Sequence, residues 1–220
     1  MTMRAAYLHG FLGTPAVWDG IARETDRRVL LPGHGGAPVA TTWAANLHAV
    51  ARAVAGTEVV VGYSLGARVA LGLVAEGYHS CAVLISVNPG IDDAERPARR
   101  ASDAAWARRF RDEPLADVLD AWEAQPVFAG RPFRARRAER LALDPEQLAR
   151  NLEVMGLAEM PDYRLSVDGR SHVIAGARDA KFVAIARTLH APITIIADAG
   201  HDPTLDQPGE LARVLRSLGA

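Results

Sequence analysis

Six short apolar runs, separated by helical patterns, organise the chain. Ala5-Ala6-Tyr7-Leu8 is the first, Arg28-Val29-Leu30-Leu31 the second, Glu58 to Val61 the third and Cys81 to Val87 the fourth. Ser171-His172-Val173-Ile174-Ala175-Gly176 and Pro192-Ile193-Thr194-Ile195-Ile196 complete the set. Most are continuously apolar, which is how a strand reads when both faces of its sheet are covered. Between them the spacing changes to that of helices, with Trp43, Leu47, Val50 and Val54 on one face, then Leu65, Val69, Leu71, Leu73 and Val74. A final helix holds Leu211, Val214, Leu215 and Leu218. Strands alternating with helices predict an α/β fold: a mostly parallel sheet of about six strands with helices on both faces.

The pattern breaks after the fourth run. From 91 to 169 no strand pattern occurs, and charged helical segments carry Trp106, Phe110, Leu115, Val118, Leu119 and Trp122, then Leu141 to Leu157. This predicts a core built from 1–90 and 170–220, with a helical lid inserted over 91–169. Arginines and acids nearly balance in the inserted block, which argues for solvated helices rather than a nucleic-acid surface.

The stretch that carries chemistry is Gly62-Tyr63-Ser64-Leu65-Gly66, between the third strand and the next helix. A G-x-S-x-G pentapeptide in that setting is a nucleophile elbow, whose sharp turn needs flanking glycines. A serine hydroxyl needs a histidine to take its proton, and the histidine needs a carboxylate to set its tautomer. In this fold the order is serine, acid, histidine. Ser64, Asp179 and His201 follow three different strands in that order. Asp198 and Asp202 crowd His201 in sequence, and Asn88, Asp92 and Asp93 mark a second position for an acid. His9-Gly10-Phe11-Leu12-Gly13 follows the first strand, so the N–H of Phe11 and that of Leu65 are the expected oxyanion hole. His9 itself is expected to line the substrate site, and His34, in Pro32-Gly33-His34-Gly35, lies on the same sheet edge. The glycines around His34 do not match a dinucleotide fingerprint.

Composition narrows the field. The 220 residues form one domain, or a core with an insertion, and 49% are hydrophobic, enough for a sizeable core. A net charge of −1 marks neither nucleic acid nor an anionic membrane as a partner. The single cysteine, Cys81, reads as a buried small hydrophobe, and Lys181 is the only lysine among 25 basic residues. No signal peptide and no bilayer-length apolar run is read, so the expectation is a cytoplasmic protein, a monomer or small homo-oligomer. Its expected partner is a small-molecule carboxylate, with no cofactor and no metal.

Several motifs resemble the α/β-hydrolase superfamily: His9-Gly10-Phe11-Leu12-Gly13, Leu31-Pro32-Gly33-His34-Gly35, Gly62 to Arg68, and the late Asp179 and His201. Within it, Ser102-Asp103, Trp106-Ala107-Arg108-Arg109-Phe110, Glu113-Pro114-Leu115, Trp122, Gln125-Pro126-Val127-Phe128-Ala129 and Arg178-Asp179-Ala180-Lys181-Phe182 resemble one family. It is that of the 2-succinyl-6-hydroxy-2,4-cyclohexadiene-1-carboxylate synthases of menaquinone biosynthesis. The resemblance implies a lyase that eliminates pyruvate from 2-succinyl-5-enolpyruvyl-6-hydroxy-3-cyclohexene-1-carboxylate, with Ser64 acting as a proton-abstracting base. It implies carboxylate-binding arginines at Arg68, Arg99 and Arg140, with Arg136 or Arg137 as alternatives to the last, and pocket residues at Tyr63 and Trp122. Four features depart from the family: Ala67 where glycine is usual, His201-Asp202-Pro203-Thr204 after the last strand, an early sheet that begins at what would be the third strand of a full α/β-hydrolase, and a shorter run after Ala129. The competing reading is a carboxylesterase or C–C-bond hydrolase that forms an acyl-enzyme on Ser64. A binding protein that merely kept the fold is the third.

Overall fold

The computed structural model describes residues 3–128 and 136–220. Ala129, which ends one of the motifs above, lies outside them. Six strands form one parallel sheet: β1 (Ala5–Leu8), β2 (Arg27–Val29), β3 (Val59–Tyr63), β4 (Ala82–Ile85), β5 (Ser171–Gly176) and β6 (Ile193–Ile196). Their order across the sheet is β2-β1-β3-β4-β5-β6. The chain crosses over through α1 (Trp43–Ala53), α2 (Leu65–Ala75) and α7 (Ala180–Arg187), and α8 (Pro203–Asp206) and α9 (Pro208–Ser217) follow the last strand. Between β4 and β5 stand α3 (Arg96–Asp112), α4 (Leu115–Glu123), α5 (Arg137–Leu141) and α6 (Pro145–Met155). Among the described residues, no helix is long and apolar enough to cross a membrane.

The two faces of the sheet bury separate cores, following the two-residue period of a strand. Ala6, Leu8 and Val60 face Leu47, Val50 and Leu71. Ala5, Tyr7, Val59 and Val61 face Trp18, Leu211 and Leu215. A third cluster joins Phe110, Leu119, Leu148 and Leu152 of the inserted helices to Leu12, from the loop after β1. The tail of the insertion behaves differently. Leu157, Met160, Tyr163 and Val167 pack into the core of the sheet, and the Tyr163 hydroxyl donates to Glu76 and accepts from the Trp43 indole. The separate helical layer thus ends near Met155 rather than at 169.

The second strand is shorter than its apolar run suggests. Pairing stops at Val29, because the Leu31 amide donates to His9 Nε2 at 3.0 Å instead of to a neighbouring strand. His9 is fully buried, with Nδ1 bonded to the Gly10 carbonyl at 2.8 Å. This corrects its expected place in the substrate site: both ring nitrogens are occupied by backbone. His34 mirrors it, accepting from the Leu12 amide through Nε2 and bonding Pro32 O through Nδ1. The two rings meet edge to face at 4.8 Å and lash the loop after β1 to the loop after β2. Burial, helped by repulsion from His34, pushes His9 down to about 3, and burial pushes His34 down to about 4.

The elbow is set by two close approaches of backbone. A Cβ on Gly66 would lie 2.2 Å from Leu8 O, and one on Gly62 would lie 2.2 Å from Gly66 O. Helix α2 therefore begins directly against β1 and β3, and only glycine fits at either place. Ser64 is left at φ 52, ψ −107, a conformation that costs a non-glycine residue roughly 1–3 kcal/mol.

Gly66→Ala is expected to lower stability by about 1–3 kcal/mol or more through overpacking. Gly209→Ala, at an open helical position, should be neutral or stabilising by up to ~1 kcal/mol. Urea midpoints compare them, and equal midpoints would refute the close-approach argument. The histidine pair predicts an acid sensitivity. Both rings stay neutral in the fold while the unfolded chain takes protons below pH ~6.5, so their contribution is complete above that pH. It is lost on acidification toward pH ~4, at up to about 1.4 kcal/mol per pH unit for each ring. His34→Gln retains an acceptor for the Leu12 amide and should flatten the pH dependence of urea unfolding between pH ~6.5 and ~4. An unchanged slope would exclude His34 from it.

Candidate active site

The C-terminal ends of the parallel strands share one edge, the usual ligand edge of an α/β sheet. The loops leaving β3, β5 and β6 there carry Ser64, Asp179 and His201. Ser64 Oγ lies 3.2 Å from His201 Nε2, and His201 Nδ1 lies 2.8 Å from Asp179 Oδ2. An ionised carboxylate only accepts, so the proton belongs on Nδ1, and Nε2 is left to accept from the serine. Asp179 and His201 are buried. Asp179 also caps α7, with Oδ1 accepting from the Phe182 amide at 3.2 Å.

His201 is held from several sides. Ser86, at φ 51 just past β4, donates its hydroxyl to the His201 carbonyl at 2.8 Å. The rings of Phe182, Tyr63 and Phe128 stand 4.4, 5.8 and 5.8 Å from the imidazole. Ser86, Phe128 and Phe182 escaped the site reading from sequence. Phe182 was nonetheless marked by its place three residues after Asp179, whereas Ser86 was hidden inside the fourth apolar run, because β4 ends at Ile85 rather than Val87. Three of the other acids weighed beside Asp179 are engaged elsewhere. Asp202 accepts from the Thr204 amide, Asp92 pairs with Arg164, and Asp93 with Arg96.

A cavity of about 260 Å³ opens in front of Ser64. Phe11 and Leu65 line it, and neither amide donates a hydrogen bond among the described residues. For Leu65, the first residue of α2, a free N–H is the normal state of a helix start. Trp106 and Trp122 form an aromatic wall, 4.9 Å apart, and Phe11 packs on Trp122 at the same distance.

Arg68 and Arg99 line the same cavity. Arg68 donates to Met155 O at 2.8 Å; burial, reinforced by the nearby Arg99, pushes its guanidinium down to about 9. It therefore stays charged at neutral pH. Arg99 Nε lies within 3.0 Å of both oxygens of Asp103. Arg140 lies on a different wall. With Arg136, Tyr63 and Ser64 it lines a narrow cleft of about 50 Å³, and it is bonded to the buried Glu123 at 2.8 Å. Burial, with Asp202 adding to it, holds the Tyr63 phenol well above its ordinary range. Arg137 faces away and pairs with Asp120. Arg68 and Arg99 thus converge on the main cavity, and Arg136 and Arg140 on the cleft beside it. Among the described residues no group of three or more His, Cys, Asp or Glu stands together as a metal site would require.

Comparison with known proteins agrees with this arrangement. The sequence profile of the alpha/beta hydrolase family matches residues 7–214. The chain is 37% identical to the 2-succinyl-6-hydroxy-2,4-cyclohexadiene-1-carboxylate synthase of Klebsiella pneumoniae, over 96% of this chain and 92% of the relative. It is 36% identical to the protein of the same name from Citrobacter koseri, with the same coverage. Among solved structures, MenH from S. aureus superposes with a TM-score of 0.87 at 25% identity, covering 97% of this chain and 91% of that one. An esterase from Thermogutta terrifontis superposes at 0.80 with 23% identity, covering 98% of this chain and 89% of the esterase, a likeness of fold alone. A family profile spanning most of the chain, and relatives matched over nearly their full length, mean that the chain belongs to the α/β-hydrolase family and, within it, to the 2-succinyl-6-hydroxy-2,4-cyclohexadiene-1-carboxylate synthases.

Proposed function

We propose that the protein is a lyase of menaquinone biosynthesis. It converts 2-succinyl-5-enolpyruvyl-6-hydroxy-3-cyclohexene-1-carboxylate into 2-succinyl-6-hydroxy-2,4-cyclohexadiene-1-carboxylate and pyruvate. The observation that carries this reading is one cavity holding both the hydrogen-bonded Ser64–His201 pair and two arginines, Arg68 and Arg99. An esterase has no general need of such cations, whereas a substrate with three carboxylates does, and the guanidinium fork matches a carboxylate.

The reaction is redox-neutral, and the two names define its electron flow. The C2–H bond breaks, its electrons form C2=C3, the C3=C4 pair moves to C4=C5, and the C5–O bond to the enolpyruvyl group breaks. Ser64 Oγ takes the C2 proton as it passes its own to His201 Nε2, and Asp179 holds the resulting imidazolium in place. Charge develops on the succinyl carbonyl oxygen, which the amides of Phe11 and Leu65 receive; a single donor of this kind is worth about 3–4 kcal/mol in comparable sites. His201 then returns a proton to the departing enolpyruvate, which leaves as pyruvate. The helices over 91–155 act as the lid that keeps this site dry, and Trp122, Tyr63, Arg136 and Arg140 shape its inner wall. The protein works in the cytoplasm as a monomer or small homo-oligomer, on a dissolved small molecule and without nucleic acid.

With the enolpyruvyl substrate, pyruvate release followed by coupled lactate dehydrogenase is expected to outpace hydrolysis of p-nitrophenyl esters. No pyruvate together with rapid ester turnover would reverse the assignment in favour of a serine hydrolase. Ser64→Ala should lower kcat by about 10³-fold or more, as removal of the central group of a serine–histidine pair does elsewhere. Arg68→Ala should cut kcat/KM by about 10²-fold, the loss of one charge-assisted carboxylate contact, with the circular dichroism spectrum intact. Full activity in that variant would exclude Arg68 from substrate binding.

A further inference from the structure

The chain has one lysine, and it stands where three cavities meet. Lys181 lines the cavity in front of Ser64, the groove of about 850 Å³ between the start of α3 and α7, and a cavity of about 640 Å³ lined also by Asp179 and His201. Its position is anchored from behind. Asp179 caps α7 and holds His201, Phe182 lies against His201 at 4.4 Å, and Lys181 Nζ lies 5.8 Å from the Phe182 ring centre. The side chain is exposed and has neither an ion pair nor a hydrogen bond among the described residues. Its neighbours are already engaged: Arg99 with Asp103, Arg68 with Met155 O, and Arg178 with Asp206.

Size sharpens the point. A cavity of about 260 Å³ is smaller than the ~300–1,000 Å³ of sites that enclose a ligand of this class. A tricarboxylate whose ring reaches Ser64 must therefore extend outward. The outer groove shares Asn88, Arg99, Leu157 and Lys181 with the inner cavity, so a substrate arm that extends into it would pass Lys181. A lysine suits that place: its ammonium is a compact charge on a flexible stem, able to follow a carboxylate as it enters, where an arginine fork demands one fixed orientation.

We propose that Lys181 is a further substrate-binding residue, which captures the outermost carboxylate of the substrate at the mouth between the inner cavity and the outer groove. The proposal rests on the substrate assigned above, and its tests are arranged so that the two fail separately.

Lys181→Ala is expected to raise KM about tenfold, the scale of one partly exposed charge pair, with kcat nearly unchanged. Lys181→Arg should restore most of the loss, and Lys181→Glu should deepen it. Raising the salt concentration should raise the wild-type KM and affect Lys181→Ala less, because exposed charges are screened. A second measurement does not depend on turnover. Reductive methylation with ¹³C-formaldehyde keeps the charge and places one side-chain dimethylamine signal on this chain, distinct from that of the terminal amine. In the Ser64→Ala protein that signal should shift and saturate on addition of the enolpyruvyl substrate. If wild-type protein releases pyruvate while Lys181→Ala keeps its KM and the signal stays unmoved, the lysine proposal is overturned and the lyase assignment stands. If wild-type protein releases no pyruvate but the signal shifts, carboxylate capture stands and the elimination chemistry falls.

Discussion

The position of the reactive hydroxyl depends on the absence of two side chains. Helix α2 starts so close to the sheet that the hydrogens of Gly62 and Gly66 point at carbonyl oxygens with no space for carbon. Because α2 cannot retreat, the turn before it must be tight. Ser64 is thereby lifted above the ends of the strands, with its amide bonded to Ile85 O at 2.9 Å. His201 and Asp179 reach the same point from two other strands, and their convergence follows from parallel strands ending along one edge. Ala67, where the family usually has glycine, fits without disturbing this contact and is fully buried.

Much of this was legible in the sequence, and the reason is periodicity. Apolar runs, most of them continuous, marked the six strands, with β2 shifted to Arg27–Val29, and the change to helical spacing marked where the extra helices begin. Order along the chain singled out Ser64, Asp179 and His201, because each follows its own strand. What was not legible depended on contacts between segments distant in sequence. Nothing local distinguishes Leu157 and Met160 from the helices before them, yet they pack under the sheet. His9 reads as a site residue because it sits on the ligand edge, and only its bond to Leu31 shows that it serves the backbone. Arg136, Arg137 and Arg140 fall within one turn and a half of chain. Their partners Val17, Asp120 and Glu123 separate them by direction.

Charge in the site is arranged in advance. Arg99 and Arg140 are each tied to a carboxylate, and Arg68 to a carbonyl. Such pairing restrains the guanidinium groups in advance, so a carboxylate held there would cost less ordering entropy. It also lessens the cost of crowding cations in a confined space. Asp179 does the same for two elements at once, giving one oxygen to the imidazole and the other to the first turn of α7. The orientation of His201 and the start of that helix are thus one structural unit.

Ser64 sits at φ 52, ψ −107, where glycine would rest more easily. The residue at the centre of the cavity is thus a place where the folded chain would gain stability by losing its hydroxyl, a tension general to strained functional positions. Descendants of this protein selected only for endurance at high temperature, with no demand for turnover, would drift toward glycine at this position. Lineages that still need the reaction would retain the serine and find their added heat resistance elsewhere, in loops, helix caps and surface charges. The residue at 64 in a thermophilic relative would therefore record whether the chemistry was still under selection.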